Sequence, residues 1–363
     1  MADPAYAGPP PARRAADLTS SVIGAGNWQG DASGILGGAM QIVVEDLAKT
    51  FRIAERTAGL AGAMRGLVRR RHRDVAALAG VSFDVRAGEL VGYIGPNGAG
   101  KSTTIKVLAG ILIPDGGRVE VDGRVPWRQR VEHVRRIGVV FGQRTQLWWD
   151  LPVIESLEML RHIYKVPEER FRTQRDELIE LLGLAELLDK PVRQLSLGQR
   201  MRADLAASLV HAPSILFLDE PTIGLDAVSK LAVRSFVKRL NRERGVTVIL
   251  TTHDMDDIEA LCDRVIVIGG GTILSDGTLA DLRKRVTRER WLTIDLAEGS
   301  GDEVSDADAA VISRDGARVC LAFDPEVVSP AELIQRVTSR HAVRDLFVEN
   351  PPIETVIARL YQR

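Results

Sequence analysis

Apolar residues recur along the chain in short unbroken runs separated by stretches of longer period. Leu90-Val91-Gly92-Tyr93-Ile94, Ile137-Gly138-Val139-Val140-Phe141, Ile215-Leu216-Phe217-Leu218, Val246 to Leu250 and Val265 to Ile268 are such runs. Short apolar runs without alternation suit strands of a parallel sheet, which are covered on both faces. Gln41-Ile42-Val43-Val44 also reads as a strand, and Val81-Ser82-Phe83-Asp84-Val85 alternates as one. Turn signals at Asp115-Gly116-Gly117 and Asp122-Gly123 bracket Arg118-Val119-Glu120-Val121 and predict a small antiparallel hairpin.

From Val153 to Pro191 the period becomes helical. Ile154, Leu157, Leu160 and Ile163 share one face, and Leu178, Leu181 and Leu182 share another. A further helix is expected from Ser196 to about His211. Beyond residue 290, Trp291 to Leu296, Arg318 to Phe323 and Val343 to Val348 read as strands. Ser329-Pro330-Ala331-Glu332 reads as a capping box with Pro at the first helical position, and Ile353, Val356, Ile357 and Leu360 form one helical stripe. The expected organisation has three parts. Residues 1–39, rich in Pro, Gly, Ala and Ser, form a disordered leader, with Met40 a candidate natural start. Residues 40–290 form an α/β unit with a helical insertion at about 150–212, and residues 291–363 form a small α+β appendage. Packing and dimer support is the expected role of that appendage, ahead of ligand sensing.

Composition narrows the partners. A chain of 363 residues can hold two or more compact units, and 45% hydrophobic with 27% charged residues is ordinary for a soluble protein. A formal charge of -1 argues against a general polyanion binder. Cys262 and Cys320 stand far apart and outside any metal-ligand spacing, so neither a disulfide framework nor zinc is suggested, and a reducing cytosol is the simplest compartment. No apolar run reaches the roughly eighteen residues of a spanning helix, so a membrane-spanning part would be another chain. Arg65, Arg69, Arg70, Arg71, His72 and Arg73 read first as a solvated helix face. The alternatives are a contact with anionic lipid headgroups or an acidic partner. Nucleic acid is disfavoured by the lack of interleaved aromatics.

The chemistry concentrates between the apolar runs. Gly95, Pro96, Asn97, Gly98, Ala99, Gly100, Lys101 and Ser102 fit G-x-x-x-x-G-K-[ST], between a strand and the opening turns of a helix, Ser102 to Ala109, with Thr103 a further candidate for nucleotide binding. Glycines let backbone N–H groups close around phosphates, the helix N-terminus adds positive charge, and Lys101 neutralises the β- and γ-phosphates. Ser102 is left to hold Mg²⁺, with Asp219 at the end of another apolar strand as the second ligand. Glu220 is the candidate to orient or deprotonate the attacking water. Gln143 and His253 also end strands, where ligands bind a doubly wound sheet. Gln143 can reach Mg²⁺ and the attacking water, and His253 the γ-phosphate. Phe51 either stacks on an adenine ring or packs in the core.

In this order, Phe51, Gly95 to Ser102, Gln143, Leu195-Ser196-Leu197-Gly198-Gln199, Ile215 to Glu220, Gly224-Leu225-Asp226 and His253 resemble the nucleotide-binding subunit of an ATP-binding cassette (ABC) transporter. The resemblance covers about residues 40 to 290. It implies a P-loop NTPase of ABC type, with a mixed sheet core, an antiparallel β subdomain and a helical insertion. It also implies ATP and Mg²⁺ as cofactors. By that resemblance Ser196, Gly198 and Gln199 complete the site of the opposite subunit, and Asp226 belongs to the cross-subunit contact. Two positions depart from the family pattern: Leu197 replaces a glycine, and Ile223 stands where a small polar residue is common.

The single cassette with a short tail resembles the ATPases of daunorubicin-resistance-type exporters. A homodimer, or a pair with a related ATPase subunit, is implied. So is a separate transmembrane permease contacted through Gln143-Arg144-Thr145-Gln146-Leu147-Trp148-Trp149, with the chain peripheral on the inner face of the membrane. The two adjacent Trp residues are either core anchors or partner contacts. An importer ATPase with a regulatory tail and a soluble non-transport ATPase of the superfamily are the rival readings.

Overall fold

The computed structural model describes residues 40–54, 72–142, 144–297 and 304–361. The expected leader, Arg65 to Arg71 and Gln143 lie outside the described residues. Two long antiparallel strands come first, β1 (Met40–Ala54) and β2 (His72–Arg86). Strand β3 (Leu90–Ile94) leads through the glycine loop into helix α1 (Lys101–Leu108), followed by β4 (Gly116–Val121), α2 (Arg130–Val134) and β5 (Ile137–Phe141). Residues 118–121 do form a strand, but the expected local hairpin is limited to the Val121–Arg124 pair across Asp122-Gly123. β4 pairs antiparallel with β1 (Val121 opposite Ile42), giving a sheet of order β2-β1-β4. His72 and Arg73 lie on β2 opposite Ala54 and Ile53, so these two members of the basic run sit on a strand rather than a helix face.

The insertion contains α3 (Val153–Tyr164), α4 (Glu168–Leu182) and α5 (Leu197–Leu209). Helix α4 shows why the sequence folds this way. Phe171, Gln174, Leu178 and Leu182 bury one face at three- and four-residue steps, Glu168 and Glu169 stand at the positive helix end, and left-handed Gly183 stops it. The chain continues through β6 (Ile215–Asp219), α6 (Ala227–Arg244), β7 (Thr247–Thr252), α7 (Met255–Leu261), β8 (Arg264–Gly269), β9 (Thr272–Thr278) and α8 (Leu279–Val286).

The main sheet has the order β5-β6-β7-β3-β8-β9, parallel except for β9. Every residue of β3, β6 and β7 is buried, as expected of strands covered on both faces. Alternation within the runs sorts the faces. Leu216 and Leu218 join the core shared with the helical insertion, whereas Ile215 and Phe217 join the core made with α1 and the three-stranded sheet. The glycine loop, the end of β6 and the end of β7 therefore meet on one rim of the sheet.

The last segment contains β10 (Arg290–Leu296), β11 (Ala309–Asp315), β12 (Arg318–Phe323), α9 (Pro330–Arg340), β13 (Val343–Glu349) and α10 (Ile353–Tyr361). The strands form an antiparallel sheet of order β11-β12-β10-β13, whose Leu292, Ile294, Leu321 and Phe323 pack with Leu333 and Val337 of α9. Ser329 caps α9 by accepting from the Glu332 N–H (3.2 Å), but the Glu332 carboxylate pairs with Arg336 (2.5 Å). The expected capping box is thus built on its Ser329 side, while the Glu332 side chain turns down the helix. Helix α10 returns to the large core, where Ile353, Val356 and Ile357 join Leu282 and Val286 of α8.

Candidate functional site

Gly100 caps α1 in a left-handed conformation (φ 112°), and a Cβ there would lie 2.6 Å from the Ala77 carbonyl and 2.7 Å from the Leu78 side chain. Only glycine fits, because β2 presses on the loop. The Lys101 ammonium donates to the carbonyls of Gly95 (2.8 Å) and Pro96 (3.2 Å). Burial pushes its pKa down, and the neighbouring carboxylates of Glu220 and Asp219 oppose that shift. A buried ammonium at a glycine-rich helix N-terminus fits a phosphate chain.

Asp219 brings the second half of the site to the loop. Its Oδ1 accepts from Ser102 Oγ (3.1 Å) and from Thr251 Oγ1 (2.6 Å). A hydroxyl and a carboxylate this close suit a Mg²⁺ whose remaining positions go to phosphate oxygens and water. Among the described residues no group of three His, Cys, Asp or Glu gathers to hold a metal without such help. Thr251 is a member of the site that sequence reasoning misses. Its place opposite Asp219 follows from the β6–β7 register, which nothing local announces.

Glu220 adopts φ 55°, a left-handed conformation that costs a non-glycine residue about 1–3 kcal/mol. Its N–H donates to the Thr251 carbonyl (2.9 Å), and the Asp219 carbonyl accepts from the Gly142 N–H (2.8 Å). A Cβ on Gly142 would lie 2.0 Å from the Glu220 carbonyl oxygen, so β5 and β6 approach too closely for any side chain there. His253 places Nδ1 3.5 Å from Glu220 Oε1, with its side chain 56% exposed. The two face each other at the open end of the site. Phe51 is half-buried and belongs to none of the three apolar cores of the described residues. It lies two residues along β1 from Lys49, the register partner of Leu78 under Gly100, and the Lys49 ammonium stands 5.8 Å from its ring centroid.

Ser196, Gly198, Gln199 and Asp226 gather at a second place. Ser196 caps α5 in a reciprocal capping box with Gln199 (3.2 and 3.0 Å). Gly198 lies against Ser229, where a Cβ would meet Oγ at 2.2 Å, and Asp226 caps α6 by accepting from Ser229 N (2.9 Å) and Oγ (2.8 Å). Those bonds hold its carboxyl below the usual range. Leu197 has its Cδ2 3.1 Å from where a Gly224 Cβ would stand. The two positions that depart from the family pattern thus include one, Leu197, that packs on its own subunit's Gly224-Leu225-Asp226 loop.

Chain comparison agrees with this geometry. The family described as ABC transporter matches residues 78–223. The chain is 33% identical over 306 residues to the Nod factor export ATP-binding protein I of Ralstonia nicotianae, covering 82% of this chain and 92% of that protein. This chain belongs to the ABC transporter family. It is also 39% identical over 221 residues to the daunorubicin resistance ATP-binding protein DrrA3 of Streptomyces coeruleorubidus (61% of this chain, 69% of that one). The methionine import ATP-binding protein MetN of Geobacillus kaustophilus is 39% identical over 207 residues (56% and 60%). Among solved structures, a dimeric post-hydrolysis ATP-binding cassette bound to ADP and Pi superposes with a TM-score of 0.55 at 26% identity, covering 66% of this chain and 98% of that one. The expected fold class and ATPase activity are borne out: the protein is an ATP-hydrolysing subunit of ABC type.

One buried carboxylate has no signal in the sequence. Asp204, in the middle of α5, accepts from Thr145 Oγ1 (2.8 Å) and the Gln146 N–H (3.0 Å), and burial pushes its pKa up to about 6. Because its folded pKa lies above its unfolded value of 3.8, the associated stability is present below pH 3.8 and is lost as pH rises through about 6. At pH 7.5 the Asp204→Asn variant is therefore expected to exceed the wild type in stability by up to about 3 kcal/mol, since a tenfold change in proton affinity is worth about 1.4 kcal/mol. The difference should vanish near pH 4. Denaturant unfolding of both proteins across pH 4 to 8 checks it.

Proposed function

We propose that this chain is the ATPase subunit of an exporter of drugs, lipids or natural products, and that it works as a dimer closing around two Mg-ATP molecules. The observation that carries the ATPase part is the meeting of Ser102, Asp219, Thr251, Glu220 and His253 on one rim of the sheet. Lys101 and the loop amides bind the triphosphate, with Phe51 against the adenine. Ser102 and Asp219, helped by Gln143, would hold Mg²⁺, which neutralises phosphate charge when bound. Glu220 orients the attacking water and takes its proton, and His253 holds the γ-phosphate side. Ser196, Gly198 and Gln199, at a helix N-terminus with no lysine of their own, bind the phosphates carried by the opposite subunit. Asp226 and its loop line that contact. The Leu197 side chain packs toward Gly224 and so does not lie over this helix end, where the capping box already takes the N–H groups of Ser196 and Gln199.

The exporter reading rests on the relatives named for daunorubicin resistance and Nod factor export. The relative named for methionine import favours the importer reading, and transport assays in vesicles of each orientation separate the two. A permease partner is supported by a groove of about 340 Å³ along the segment after Gln143, lined by Ile111, Val139, Phe141, Arg144 and Tyr164 among others. Trp148 packs against the large core, whereas Trp149 is 50% exposed, so the pair divides into one core anchor and one candidate contact. Among the described residues no helix is long and apolar enough to cross a membrane. A peripheral position on the inner face then follows from the partner. Co-expression with a multi-span permease of an ABC exporter should give a detergent-stable complex if that permease is the partner, and Trp149→Ala should reduce its recovery about tenfold with ATP binding intact, by loss of about 1.4 kcal/mol. Recovery of no complex with the wild type would contradict the partner assignment.

A further inference from the structure

We propose that Asp257 is a positioning residue of the ATPase: its buried carboxylate fixes the loop after Glu220 against the strand end before His253, and so sets how those two side chains face each other. The proposal rests on the roles given above to Glu220 and His253.

Sheet register carries the two chains only to the edge of the site. Glu220 stands one residue past the end of β6, where its N–H donates to the Thr251 carbonyl, and His253 stands one residue past the end of β7. Beyond that edge the chains part. One runs through Pro221 to Asp226 into α6, and the other enters α7 behind Asp254. Asp257, in the first turn of α7, joins them again.

Its carboxylate takes partners from three elements. Oδ2 accepts from Thr222 Oγ1, two residues past Glu220, and lies 3.5 Å from the hydroxyl of Thr252, the residue before His253. Oδ1 accepts from Arg234 Nε of α6 (2.5 Å). The Thr252 hydroxyl in turn accepts from the Asp254 N–H (2.9 Å), so both neighbours of His253 are held. Asp257, Thr222 and Thr252 are all buried. An ionised group in such a place costs stability unless it is well partnered, and an apolar side chain of similar size would pack there without that cost. What the carboxylate supplies is reach: with two acceptor oxygens it holds the Thr222 side and the Arg234 side at once, whereas a carboxamide has a single acceptor oxygen. Without that grip the loop after Glu220 is no longer tied to the residue before His253. Nucleotide affinity is set by Lys101 and the glycine loop, whose bonds do not involve Asp257.

The test is steady-state Mg-ATP hydrolysis by the full chain. Asp257→Asn is expected to lower kcat about tenfold with KM for ATP within about twofold, since misplacement of a reacting geometry by an ångström costs on the order of a hundredfold. Thr222→Val removes the bond from the Glu220 side and should lower kcat with KM unchanged, and Thr222→Ser, which keeps the hydroxyl, should restore it. Added to His253→Ala, Asp257→Asn should lower kcat no further, because the geometry it sets is already lost. A role in stability alone predicts a kcat that follows the folded fraction in either background. Wild-type kcat in Asp257→Asn, parallel changes in kcat and KM, or a loss that multiplies with that of His253→Ala overturns the proposal. If Asp257→Asn does not fold, full kcat in Thr222→Val, or a Ser variant no better than Val, overturns it equally. His253→Ala alone separates the two claims. If it retains full kcat, the role given to His253 fails; if it is slow while Asp257→Asn is wild type, only the positioning role of Asp257 fails.

Discussion

Glu220→Gln is expected to bind ATP as tightly as the wild type and to hydrolyse it about 10²- to 10⁴-fold more slowly, the usual weight of a general base. Glu220 stands next to Asp219 but does not share its work: Asp219 turns inward to Ser102 and Thr251, whereas Glu220 is turned out by its left-handed backbone toward His253. A glutamine keeps the shape and the hydrogen-bonding reach but cannot take a proton. The Lys101 bonds are untouched, so affinity is preserved. Phosphate release and equilibrium nucleotide binding read the two halves separately. Hydrolysis at the wild-type rate would remove Glu220 from the role of base.

Lys101→Ala is expected to act on the other half. The ammonium is the principal positive charge inside the loop, and its loss should weaken ATP binding on the order of a hundredfold, about 3 kcal/mol. Hydrolysis should fall at least as far. Two features make the effect large. Burial already lowers the Lys101 pKa, so its charge is poorly screened, and Glu220 and Asp219 nearby would be left facing the triphosphate with nothing to offset their repulsion. Titration with a fluorescent ATP analogue measures it, and an unchanged Kd would contradict the assignment of the loop.

What could be read from the sequence was what depends on near neighbours in the chain. Gly95 to Ser102 declares itself because loop, lysine and helix start are contiguous. Asp219 and Glu220 could be found because an apolar run ends on them, and Ser196, Gly198 and Gln199 because the resemblance there rests on contiguous residues, Leu195 to Gln199. Contacts that depend on register escaped. Thr251 sits on Asp219 only because β6 and β7 pair in one alignment, and Gly142 is irreplaceable only because β5 brings it against the Glu220 carbonyl. The turn signals around residues 118–121 were real, yet the strand between them pairs with β1 far upstream, a choice that local turn chemistry cannot encode. Asp204 was hidden in an apolar helical stretch, where its purpose depends on a loop from another part of the chain.

The site on this rim is expected to be completed by a second copy of the chain. Sedimentation equilibrium of Glu220→Gln with saturating Mg-ATP and with Mg-ADP tests it most directly. Twice the monomer mass is expected with ATP and the monomer mass with ADP, with loss of the ATP-dependent dimer when Ser196→Arg blocks the helix end. A monomer at saturating ATP, or a dimer indifferent to both nucleotide and Ser196, would contradict it.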